Sequence, residues 1–129
     1  MTIEEALKTV LTNDAGVAAL VAGRIYPVIL PQKPTYPVLT YQKVGGAADL
    51  VLAGESGLSR NLFQIDAYGY TYAAAKALAK AVQTALNGKE FTISTVNIGS
   101  ITMKSDRDLY EEAIKIHRVS MDFSIWHNA

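Results

Sequence analysis

The stretch GESGLSRNLFQIDAYGYTYAAAKALAKAV, residues 54–82, decides the fold. It opens as a polar loop bounded by glycines. It then alternates, with Phe63, Ile65 and Ala67 on one side and Leu62, Gln64, Asp66 and Tyr68 on the other. Period two is the mark of a strand with one face in a core, so residues 61–68 are expected to form one. Gly69 turns the chain, and Thr71 offers a hydroxyl to cap the next helix. The apolar period there changes to 3.6, with Ala75, Leu78, Ala79, Val82 and Leu86 in one stripe. Asn87-Gly88 stops this helix. Its many alanines keep it thin, which permits close approach to a sheet. None of these three segments carries an obvious catalytic group.

Working outward, Thr2 with Glu5 forms a capping box, and Ile3, Ala6, Leu7, Val10 and Leu11 share one helical face. Asp14 is placed to cap a second short helix that Gly23 closes. All four prolines, Pro27, Pro31, Pro34 and Pro37, fall within residues 24–37, which read as a connector because proline lacks the N–H a central strand needs. Residues 38–44 alternate as a strand until Gly45-Gly46 breaks it. Residues 45–59 hold four glycines around Leu50, Val51 and Leu52. They read either as a long hairpin link with an apolar tuck or as a flexible arm that orders on a partner.

Further on, residues 91–93 and 96–104 are candidate strands, and residues 105–112 are a charged connection. Residues 114–126 give the clearest strand: Val119, Met121, Phe123 and Ile125 alternate with Arg118, Ser120, Asp122, Ser124 and Trp126. The expected fold is α+β in two layers. A mainly antiparallel sheet of about four strands carries two main helices on one face. Residues 1–129 are expected to form one domain, with a flexible loop at 45–59.

Composition narrows the function. Cysteine is absent, which excludes disulfides, thiolate metal sites and a cysteine nucleophile. Twelve basic and twelve acidic residues leave no net charge, whereas nucleic-acid binders usually carry a basic excess. No apolar run approaches the roughly 18 residues that suggest a membrane span. The glutamates in MTIEEALKTVL oppose a secretory signal, so an intracellular protein without nucleic-acid or membrane partners is expected.

Candidate chemistry is sparse. His117 and His127 lie ten residues apart on one strand and cannot sit side by side; a strand position and a solvated tail are the preferred readings. Asp106, Asp108, Glu111 and Glu112 surround Arg107, but paired carboxylates do acid–base work only when burial separates their pKa values. This stretch reads as exposed, so a solvated turn or a charged contact with a neighbour is preferred. Ser56-Gly57 lacks the frame of a nucleophile elbow, and Gly54–Gly57 lacks the lysine of a phosphate loop. The seven tyrosines suit either an interface or a sheet. A chain with no evident site points to work by surface contact.

The order of segments carries a resemblance. Gly23-Arg24-Ile25-Tyr26-Pro27 follows an N-terminal helix, and Pro37-Val38-Leu39-Thr40-Tyr41-Gln42 begins a strand. Gly57-Leu58-Ser59-Arg60 leads into Phe63-Gln64-Ile65-Asp66-Ala67-Tyr68 and then the Tyr72–Leu78 helix. Asp106-Arg107-Asp108-Leu109-Tyr110-Glu111 precedes Arg118-Val119-Ser120-Met121-Asp122-Phe123. Over nearly the whole chain this resembles the tail completion, or tail-to-head joining, family of tailed bacteriophages and prophages. The resemblance implies a structural protein without catalytic residues, cofactor or metal. Such a protein caps the head-proximal end of the tail tube, stops its growth and meets the head connector. It commonly acts as a ring of six, placed in the virion after assembly in the bacterial cytoplasm. Its expected partners are the tail tube protein, the connector protein and further copies of itself.

A ring needs two different patches on each subunit. The polar sides of the two clearest strands supply Arg60, Gln64, Asp66, Arg118, Asp122 and Trp126 as interface candidates, with a solvated sheet face as the plain alternative. Asp106 and Asp108 are candidates for steering a partner. Two further readings stay open: a head-side connector adaptor, and a small cytosolic enzyme using Glu111 and His117.

Overall fold

The computed structural model describes residues 2–48 and 58–128. Three helices and six strands run in the order α1 (Ile3–Asn13), α2 (Ala15–Val21), β1 (Ile25–Pro27), β2 (Val38–Ala48), β3 (Leu58–Gly69), α3 (Tyr72–Leu86), β4 (Phe91–Ile93), β5 (Val96–Glu111) and β6 (Ile116–Asn128). The strands lie in one mixed sheet, ordered β1-β2-β3-β6-β5-β4. All neighbours pair antiparallel except β1 with β2.

The helix ends obey the capping chemistry. The Thr2 hydroxyl accepts from the Glu5 N–H, while the Glu5 carboxylate accepts from the Thr2 N–H, which closes the capping box. Asp14 accepts from the Val17 N–H and starts α2. Ala22, in the left-handed region at φ 49, closes α2 just before Gly23. Thr71 accepts from the Ala74 N–H at the start of α3.

The core lies between the helices and one face of the sheet. α3 packs on β3 and β6, α2 beside α3, and α1 against α2 and β4. Phe63, Ile65, Met121, Phe123 and Ile125 are fully buried there, together with Leu7, Leu11, Leu78 and Val82. At Gly69 a Cβ would come within 2.8 Å of the Ala75 backbone nitrogen and 3.1 Å of the Ala74 Cβ. That close approach joins β3 to α3 and restricts the position to glycine. A second, smaller cluster of Val38, Tyr68 and Ile116 lies outside the main core, with Tyr26, Leu30 and Tyr36 packed against it.

Several expectations need correction. The sheet has six strands rather than about four, and it is mixed because β1 runs parallel to β2. The connector at residues 24–37 begins with β1, whose three residues are too few to show a period. The loop expected at 45–59 is strand at both ends, since β2 continues to Ala48 and β3 starts at Leu58. The two glycines that suggested a break sit near a register shift between Lys43 and Gly45, so they bend the ladder without ending it. Residues 49–57 of that expected loop lie outside the described residues. The charged connection at 105–112 is the outer half of β5, paired with β6 as far as Glu111. Charge alternating along a solvated edge hides the strand from a hydropathy reading.

Candidate assembly surface

Among the described residues the helices cover one face of the sheet, and Tyr26, Leu30 and Tyr36 of the connector cover one end of the other. The register places the polar residues of the other face in rows. Arg60 stands opposite Trp126, with its guanidinium 5.9 Å from the indole centroid. Leu62, Ser124 and Thr102 form the next row, and Gln42, Gln64, Asp122 and Ser105 the one after it. Thr40, Asp66, Ser120 and Arg107 form another, and Tyr68, Arg118 and Leu109 a further one. Six of the eight sequence-derived candidates, Arg60, Gln64, Asp66, Arg118, Asp122 and Trp126, therefore share this face.

The rows are tied to one another. Gln64 Nε2 donates to both Asp66 carboxylate oxygens, at 3.2 and 3.0 Å. Asp122 Oδ2 accepts from the Ser105 hydroxyl at 2.8 Å and from Arg107 Nη1 at 3.1 Å. Arg118 Nη1 lies 3.1 Å from Glu111 Oε1. Burial works against the Arg118 charge, but the Tyr68 hydroxyl and the nearby Asp66 and Glu111 outweigh it and raise the pKa above the ordinary guanidinium value. Two polar atoms here, Arg118 Nε and Ser120 Oγ, are buried without a hydrogen-bond partner among the described residues. The face presents charges of both signs, amides, hydroxyls and one indole on a hydrogen-bonded frame. Such a surface suits specific contact with another protein.

Asp106 and Asp108 are not part of it. Both fall on the helix side of β5, opposite Met121 and Val119. Asp108 accepts from the Tyr72 hydroxyl at 2.7 Å and from Lys76 Nζ at 3.1 Å. The Tyr72 hydrogen bond first, and then that from Lys76, hold the Asp108 carboxyl below its ordinary range. The same carboxylate raises Lys76 and Tyr72. The expected turn cluster is thus a strand whose acidic side chains point to two faces.

The histidines have separate settings. His117 packs edgewise on Tyr72 and at a tilt on Tyr110, with ring centroids 5.9 and 4.9 Å away. His127 is buried in β6, bonded to Asn61 and to the Asn128 carbonyl, where a solvated tail was expected. The signal for that burial is its odd-numbered place in line with Phe123 and Ile125. Among the described residues no group of three histidine, aspartate or glutamate side chains lies close enough to hold a metal ion. A cleft of about 230 Å³ between α1 and β4 is lined by Val10, Asn13, Asp14, Phe91 and Ile93, away from the polar face. No helix among the described residues is long and apolar enough to cross a membrane.

The sequence matches the family described as tail completion protein gp17 over residues 5–128. The chain belongs to that family. Tail completion membership makes it a phage structural protein associated with the virion, in agreement with the resemblance carried by its segments. No curated protein sequence matches it significantly. Among solved structures, it shares its fold with a chain from the virion of a native gene transfer agent particle. The two superpose with a TM-score of 0.76 at 23% sequence identity, covering 95% of this chain and 92% of the other.

Proposed function

We propose that this tail completion protein caps the head-proximal end of the tail tube, halts its growth and joins the tail to the head connector. Its site of action is the virion tail, reached by assembly in the bacterial cytoplasm. The observation that supports the reading best is the helix-free sheet face: a family member built without an evident reaction site holds a preformed polar surface. On this reading the chain is one assembly domain that works in a ring, with six subunits as the expected number, and needs no cofactor. Arg60, Gln64, Arg118, Asp122 and Trp126 contact a virion partner, while Asp66, itself buried, holds the Gln64 amide in place. Asp106 and Asp108 add negative charge at one margin, which steers docking more than it adds affinity.

Electron microscopy of labelled protein mixed with tube subunits of the same phage or prophage tests this. The expected result is label at one end of each tube, with growth arrested there. Unlabelled, growing tubes together with labelled heads would replace it with the head-side adaptor.

A further inference from the structure

Two stretches of the sheet margin have no strand beside them among the described residues. β1 flanks β2 only at residues 39–41, which leaves residues 42–48 open on that side. β4 flanks β5 only at residues 96–98. The turn after α3 then covers the next part of β5: the Gly88 N–H donates to the Ile101 carbonyl at 2.8 Å, and Asn87 Oδ1 accepts from the Met103 N–H at 3.0 Å. Residues 104–111 remain open. A row of unpaired N–H and C=O groups is a template for another strand.

The two open edges complement each other in three ways. Their directions are opposed, because β2, β3, β6 and β5 are successively antiparallel, so copies held the same way up present them antiparallel. Their charges are opposed. Residues 42–48 contain Lys43 and no carboxylate, whereas residues 104–111 contain Asp106, Asp108 and Glu111 against Lys104 and Arg107. Each is also bordered by exposed apolar side chains: Val28, Ile29 and Val44 at the β2 margin, and Tyr72, Tyr110 and Ile114 at the β5 corner.

We propose that two copies of this chain join edge to edge, residues 42–48 of one pairing antiparallel with residues 104–111 of the next. The geometry accommodates it. Within one copy Gln42 is level with Gln64, Asp122 and Ser105. Setting Gln42 against Glu111 of the next copy displaces that copy by 111 − 105 = 6 residues, or about 20 Å along the strands. Successive junctions are separated by the four strands β2, β3, β6 and β5, or about 19 Å across them. The resulting slope of roughly 45° is at the upper end of the tilt that strands take in closed sheets. The displacement carries β4 clear of the junction and brings the turn that follows Glu111 of the next copy up to the end of β1. The contact is heterologous, so it repeats from copy to copy and leaves the helix-free face to other virion proteins.

This inference takes its setting from the assembly reading above, but its test is separate. In that register Val44 faces Leu109 of the next copy. Facing residues of paired strands are about 4.5–5.5 Å apart at Cα, within the roughly 4.4–6.8 Å that a disulfide spans. Inside one copy the same residues are three strand spacings apart, at least about 14 Å, and the chain has no native cysteine. Val44→Cys and Leu109→Cys proteins are oxidised separately and mixed, both as concentrated protein and in assembled tails, with Lys43→Cys and Tyr110→Cys as the adjoining pair. Mixed dimers confined to the combined samples are expected. Dimers of one variant with itself, or no linkage in either setting, would overturn the edge pairing. Tail capping is scored in parallel: capping without linkage removes only the edge pairing, and linkage without capping removes only the assembly role.

Discussion

Alternate residues of β3 and β6 meet opposite surroundings. Phe63, Ile65, Met121 and Phe123 are fully buried beneath α3. One position along, Gln64, Asp122 and Trp126 reach a face that no helix covers. The same two strands thus carry a face whose residues act through volume and a face whose residues act through charge and hydrogen bonding. The first resembles any α+β core and says little about function. The second holds Arg60 over Trp126 and gathers Ser105 and Arg107 on Asp122, half-exposed contacts that add little to stability.

Substitutions that separate the faces are the way to break this comparison. The largest effect belongs to Phe123→Ala, a cavity beneath α3 expected to cost about 3–5 kcal/mol, read as a lower midpoint in chemical denaturation. Gly69→Ala comes next: the new methyl group meets the Ala75 backbone, and overpacking of this kind costs about 1–3 kcal/mol, measurable as a drop in Tm. Thr2→Ala removes one half of the capping box and is expected to cost about 1 kcal/mol, with calorimetry as the check. Asp122→Ala, on the other face, loses a partly exposed ion pair of about 0–1 kcal/mol, so its unfolding curve stays near that of the parent while its capping of tails falls. A capping loss at Phe123 equal to that at Asp122, at equal folded protein, would remove the distinction between the faces.

The smallest effect concerns pH. The Tyr72 and Lys76 hydrogen bonds depress the Asp108 pKa in the folded state. A depressed carboxylate contributes stability above its unfolded pKa and loses it as pH falls through the folded value. The contribution is therefore lost on acidification through and below the ordinary carboxylate range. The pH dependence of Tm should be slightly shallower there in Asp108→Asn. Because the group is exposed, added salt should weaken the effect as well.

Periodicity decided how much of the fold and of the assembly face was legible. The helix stripes and the alternation in β3 and β6 are strong because each element has one buried side, and the same alternation already placed six candidate residues on one face. β1 was not legible, since its three residues, Ile25–Pro27, show no period. The outer half of β5 was hidden for a different reason: it is solvated on both faces, so nothing in its hydropathy alternates. Its strand character comes from pairing with β6, a long-range contact. Asp106 and Asp108 are expected in a charged turn, but the strand they form sends both to the helix side.

The most direct measurement is the length distribution of tail tubes grown with wild-type protein and with the doubly substituted Asp122→Ala, Trp126→Ala protein, after both are shown to be equally folded. Wild-type protein should arrest growth and narrow the distribution, and the substituted protein should leave tubes growing. Equal arrest by the two proteins would contradict a role for the helix-free face in tail completion.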